Sequence, residues 1–129
     1  MADPVVPVSW GELFDKIAIL EIKRARLRAP EAVANTEREL AALAPSMALL
    51  EPAPAPLADL REALAAVNER LWVIEDQIRE KEAAGHFGPG FVALARSVYR
   101  ENDERGRIKR AINTLLGSGL VEEKQYSAY

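Results

Sequence analysis

The chain has 129 residues, 49% hydrophobic and 29% charged, which is enough apolar material for one packed domain and too much for wholesale disorder. It has no cysteine, so disulfides, thiolate metal sites and cysteine nucleophiles are excluded together. A net charge of −3 argues against general nucleic-acid binding, no apolar run reaches the ~20 residues of a membrane span, and the start Met-Ala-Asp-Pro-Val-Val-Pro-Val reads as neither signal nor transit peptide, so the expectation is a cytoplasmic protein.

Ser9-Trp-Gly-Glu12 matches a capping box, in which serine hydroxyl and glutamate carboxylate reciprocally satisfy two orphan amides, and predicts a helix over 9–28. Trp10, Leu13, Ile17, Leu20 and Leu27 trace one face of it, and Phe14, Ile19 and Ile22 widen that face. Lys16, Lys23 and Arg26 lie near its edge, and Arg24 falls on the stripe itself. Pro30 ends or kinks this arm, and it equally suits the first turn of a new helix with Glu31 at the dipole-favoured end. Val33, Leu40, Leu43 and Met47 continue an amphipathic pattern over 30–50. The stretch Glu51-Pro-Ala-Pro-Ala-Pro56 is a stiff connector inside one domain.

Leu57, Leu60, Leu64, Val67, Leu71, Ile74 and Ile78 then alternate steps of three and four. That is a heptad seam, and it predicts a helix over 57–84, about 40 Å long, packed at a shallow angle against another. A second row, Asn68, Trp72, Glu75, Arg79 and Glu82, runs beside it. Gly85-His-Phe-Gly-Pro-Gly90 is a helix–helix turn, with Gly85 as left-handed cap, Pro89 in the next first turn, and Phe87 and Val92 spaced for a hydrophobic staple. A last helix over 89–116 ends at Gly117, and the tail 118–129 either forms a turn of helix or stays loose. The expected fold is all-α, a single domain built as an antiparallel three-helix bundle of coiled-coil-like hairpins, its first arm kinked or broken at Pro30.

The last helix interrupts its own apolar stripe. Tyr99, Asn102, Asp103 and Arg105 occupy positions where core residues are expected, and such groups must be satisfied by neighbouring helices, a ligand or a second chain. The facing helix offers Trp72, Glu75, Asp76 and Arg79, and the flanks of the break add Arg96 and Lys109. These ten positions are the candidate ligand-binding residues. In a binding role Arg79, Arg96 and Arg105 clamp an anion, Glu75 or Asp103 serves as acid or base, and Trp72 and Tyr99 form walls.

The competing reading is mutual satisfaction in interhelical salt bridges. Residues 12–28 carry five basic and three acidic groups, 57–84 four basic and seven acidic, and 96–110 six basic and three acidic, so an acidic helix lies between two basic ones. Gly106, inside a helix, points to close helix approach or to room for a ligand. His86 reads as a solvated turn residue. The Glu-x-x-His pairs of di-iron bundles are missing, so no metal and no cofactor are expected.

Five phrases, Ser9-Trp-Gly-Glu-Leu-Phe-Asp-Lys-Ile-Ala-Ile-Leu-Glu-Ile-Lys23, Leu71-Trp-x-Ile-Glu-Asp-x-Ile-Arg-x-Lys-Glu82, Ala95-Arg-Ser-Val-Tyr-x-x-Asn-Asp-Glu-Arg105, Ile108-Lys-Arg-x-Ile-Asn113 and Glu122-Glu-Lys-x-Tyr126, resemble a family of short, mainly bacterial helical proteins of unknown function. The resemblance covers nearly the whole chain and implies no activity, only an association with surface-polysaccharide and glycosyltransferase genes. Its polar positions coincide with the ten candidates. The functional expectation is a helical interaction module, self-associating or docking on another protein, and leaning away from enzymes. The alternative is a bundle enzyme or binder for a small anionic metabolite such as a carboxylate or sugar phosphate. Neither nucleic acid nor membrane is an expected partner.

Overall fold

The computed structural model describes residues 1–129 and contains four helices and no strand: α1 Trp10–Arg26, α2 Pro30–Ala48, α3 Pro56–Ala84 and α4 Pro89–Leu116. The three-helix bundle with a bent first arm is therefore corrected. Pro30 begins a separate helix that folds back on α1, since Lys16 meets Glu39 at 3.3 Å and Arg24 meets Glu37 at 3.9 Å in antiparallel order. Among the helices, α2 packs against α1 alone, whereas α1 touches α2, α3 and α4.

The physical reason is the breadth of the apolar surface on α1. Leu13, Phe14, Ile17, Ala18, Leu20 and Ile22 are all buried, and no single flat stripe spans those positions. α1 is the central element, covered on several sides. Phe14 and Ala18 meet Leu57, Leu64 and Val67 of α3 and Ile108 and Ile112 of α4 in the core, with Leu64, Val67 and Ile112 fully enclosed.

The α3 seam packs chiefly on α4, as the heptad pattern requires. Both glycine caps form. Gly85 and Gly117 sit at φ 69° and 66°, and each closes a Schellman motif, with His86 donating to the Lys81 carbonyl and Ser118 to that of Asn113. Phe87 turns edge-on to Phe91 at 5.3 Å, while Val92, the residue spaced for a staple, stays half exposed. Charge pairing is partly as expected. Arg26 of α1 reaches Glu69 of α3, but the α3–α4 pair Arg70–Glu101 (2.9 Å) has the reverse polarity.

The close helix approach lies at Gly11 and not at Gly106. A Cβ on Gly11 would stand 2.5 Å from the Lys109 carbonyl oxygen and 2.9 Å from Asn113 Oδ1, so α1 and α4 touch backbone to backbone there. A Cβ on Gly106 would meet nothing from outside its own helix closer than the Lys124 side chain, at 3.9 Å. With that room, Gly106→Ala is expected to stabilise the fold by about 1 kcal/mol through helix propensity. A higher urea midpoint at unchanged m-value checks it.

Candidate functional site

A buried polar layer crosses the bundle where α1, α3 and α4 meet. Its centre is Lys109, whose side chain is 8% exposed. The ammonium group donates to Glu12 and to Glu122 at 2.8 Å each and lies 3.8 Å from Asp15. Asp15, itself buried, also accepts a hydrogen bond from Asn68 Nδ2 at 2.9 Å. Asn68 Oδ1 in turn accepts from Arg105 at 3.3 Å. At the other end Asn113 Oδ1 accepts from the Gly11 amide at 2.6 Å, and Ser118 Oγ accepts from the Trp10 amide.

Burial disfavours the Lys109 charge, but the hydrogen bonds to Glu12 and Glu122 and the nearby Asp15 outweigh it and raise its pKa above the ordinary lysine value. The hydrogen bond from Lys109 holds the Glu122 carboxyl below its ordinary range. Glu12 explains why only half of the capping box forms. Ser9 Oγ accepts from the Glu12 amide at 3.1 Å, but the Glu12 carboxylate accepts from Lys109, a charged donor, in place of the neutral Ser9 amide.

The tail is neither helix nor loose. It runs back along α4 as an extended strap. Glu122 holds Lys109, Glu123 meets Arg110 at 3.2 Å, Lys124 lies over Gly106, and Tyr129 packs edge-on against Tyr99 at 5.0 Å. The Tyr129 hydroxyl donates to Asp103, and that bond raises the phenol pKa.

Two open grooves flank the layer. Trp72, Glu75, Asp76, Arg79, Asn102 and Arg105 line one between α3 and α4, of about 510 Å³. Tyr99, Asn102, Asp103 and Arg105 line the other together with the tail, at about 880 Å³. The sequence candidates thus fall into two neighbouring sites, with Asn102 and Arg105 as the shared divide. Two stand apart. Lys109 is consumed by the closed ion cluster, and Arg96 is exposed, lines neither groove and makes no ion pair. As a trio of clamps the arginines are therefore corrected: Arg79 pairs with Glu75 on its own helix at 3.5 Å, and Arg105 alone is half-buried without a carboxylate. Of the α1 cations, Arg26 lies 6.0 Å over the Trp72 ring, while Lys16 and Arg24 serve α2.

Sequence reasoning missed Asp15, Asn113 and Glu122 as members of the layer. A signal existed on α4, because Lys109 and Asn113 continue the interrupted row with helical steps from Asn102 and Arg105. Neither groove is lined by a histidine, and no group of three His, Asp or Glu side chains is placed to hold a metal ion. No helix is long and apolar enough to cross a membrane. No curated protein and no solved structure matches this chain. The sequence matches a family profile over residues 5–129, nearly its whole length, and so the protein belongs to a family of unknown function (DUF6165).

Proposed function

We propose that the protein is a helical interaction module that pairs with a second copy of itself through the distal half of the α3–α4 hairpin. One observation carries this reading: no residue from Trp72 to Arg107 is fully buried. α1 ends at Arg26, beside Trp72, so the hairpin continues for about 20 Å beyond its third helix. Two helices alone cover each seam on one side only. Ile74, Ile78, Phe91, Leu94 and Val98 remain half-buried there, and Val73, Phe87 and Val92 are exposed.

Charge favours a second copy as the occupant. Residues 73–84 carry four acidic and two basic groups, whereas 90–100 carry Arg96 and Arg100 and no acid. A two-fold axis that lays α3 of one copy on α4 of the other opposes these charges twice and closes a four-helix bundle over the apolar rows. Light scattering on the eluting protein is expected to give about twice the 14.2 kDa chain mass. Val92→Glu, at an exposed position, is expected to return it to the monomer without loss of helix content. A wild-type monomer at high micromolar concentration contradicts the reading.

A further inference from the structure

Arg105 is the most unusual side chain left over once the ion pairs are assigned. Two of the arginines, Arg61 and Arg105, are half-buried, and the rest are exposed. Arg61 lies over the Phe14 ring at 4.9 Å. Arg105 makes a single hydrogen bond, to the neutral Asn68 amide, and its Nε–H is buried without any partner. A guanidinium has five N–H donors in a planar fork suited to an oxyanion, so most of this fork is uncommitted. A half-buried cation held in place by a neutral amide rather than by a carboxylate keeps its charge available.

The surroundings decide on which side an anion would sit. The groove on the Trp72 side brings Glu75 and Asp76, which repel an anion, and Arg79 there is already paired with Glu75. On the tail side the second cation, Lys124, makes no ion pair. The one carboxylate that lines this groove, Asp103, accepts the Tyr129 hydroxyl, and Glu122 nearby is held by Lys109. Tyr99, Tyr126 and Tyr129 supply flat amphipathic walls, and Asn102 adds an amide at the divide. At about 880 Å³ the groove falls in the range of small-molecule sites.

We infer that the groove between α4 and the C-terminal strap binds a small oxyanion, a carboxylate or phosphate monoester, carried on a flat ring. Arg105 and Lys124 hold the anionic group and the tyrosines hold the ring. Charge-assisted hydrogen bonds from a preorganised fork give the attachment, and aromatic faces give the preference for a ring over a bare ion. Apart from Val98, the residues that line this groove lie outside the apolar rows assigned to pairing, and binding does not require a second copy.

The test is a nuclear magnetic resonance titration of the intact protein with phenyl phosphate, benzoate and inorganic phosphate in turn. Saturable movement of the Arg105 Nε–H signal and of the Tyr126 and Tyr129 amides is expected with at least one aromatic anion. Comparison of phenyl phosphate with benzoate identifies the preferred anionic group. Inorganic phosphate is expected to bind at least about fivefold more weakly than the better aromatic anion. Lys124→Ala and Tyr126→Ala, both at exposed positions, are expected to weaken binding by about tenfold and about threefold without disturbing the fold. No saturable movement with either aromatic anion overturns the inference, as does equal binding of inorganic phosphate. Affinity that survives both Lys124→Ala and Arg105→Gln overturns it too.

Discussion

Replacing Lys109 with methionine is expected to remove about 3–5 kcal/mol of stability, the usual loss when one partner of a buried ion pair is deleted. The size follows from what remains. Asp15, buried with a 7% exposed side chain, keeps Asn68 as its only hydrogen-bond partner and loses the nearby cation. Glu12 and Glu122, about half exposed, can return to water and contribute little. The midpoint of thermal unfolding is expected to fall by roughly 10–20 °C for a chain of this length. The double variant Asp15→Asn with Lys109→Met is expected to recover part of that loss, because no charge is then left buried without a partner.

The same cluster sets a pH dependence with two limbs. Lys109 has a pKa raised above the ordinary 10.5, so its contribution is complete below that value and is lost as pH climbs through the higher folded-state pKa. Glu122 has a pKa lowered from 4.5, so its contribution is complete above that value and is lost as pH falls through the lower folded-state pKa. Unfolding free energy is therefore expected to be flat with respect to these two groups near neutrality and to decline at both extremes. Glu122→Gln is expected to flatten part of the acid limb, and urea titrations across the pH range measure it.

Gly11→Ala is the second large effect, and it opposes the expected gain at Gly106. The new methyl group would sit 2.5 Å from the Lys109 carbonyl oxygen, which belongs to helix backbone and cannot swing away. α1 must then separate from α4, which stretches the 2.6 Å Gly11–Asn113 hydrogen bond and loosens the layer beneath it. A loss of about 3 kcal/mol is expected, at the upper end for overpacking. Equilibrium unfolding of Gly11→Ala beside Gly106→Ala should give shifts of opposite sign. A neutral Gly11→Ala would mean that the two helices are not held this closely.

These two glycines show what the sequence could and could not reveal. Both stand next to or within helical segments, and chain-local reasoning favoured Gly106 for close approach because it lies deep inside a helix. Gly11 looked like filler in a capping box. The crossing of α1 and α4 is a tertiary fact, set by residues about a hundred positions apart, and periodicity does not encode it. Local signals fared better. The α3 seam, the two glycine caps and the helix start at Pro30 depend on contacts within one helix or between chain neighbours, and each was legible.

The candidate site was legible from one side. The break in the α4 stripe falls at Asn102 and Arg105, the two residues that line both grooves. It reached Lys109 but did not extend to Asn113, because Ile108 and Ile112 beside them restore an apolar appearance. Nor could it reveal Asp15, whose neighbours Phe14 and Lys16 suggest an ordinary helix edge. The strap from Glu122 to Tyr129 was the least legible part, since its two ion pairs and its Tyr99 contact are each made with a helix already complete. The run Glu122-Glu-Lys-x-Tyr126 had stood out only through the family resemblance.

The layer thus has a closed half, in which Lys109 is consumed by three carboxylates, and an open half, in which Arg105 is held by one neutral amide. Urea unfolding of Lys109→Met and Arg105→Gln under identical conditions tests that division most directly. A loss of about 3–5 kcal/mol for Lys109→Met against about 1 kcal/mol or less for Arg105→Gln is the expected result. Equal losses for the two would show Arg105 to be as much a structural member of the layer as Lys109, and would contradict the division.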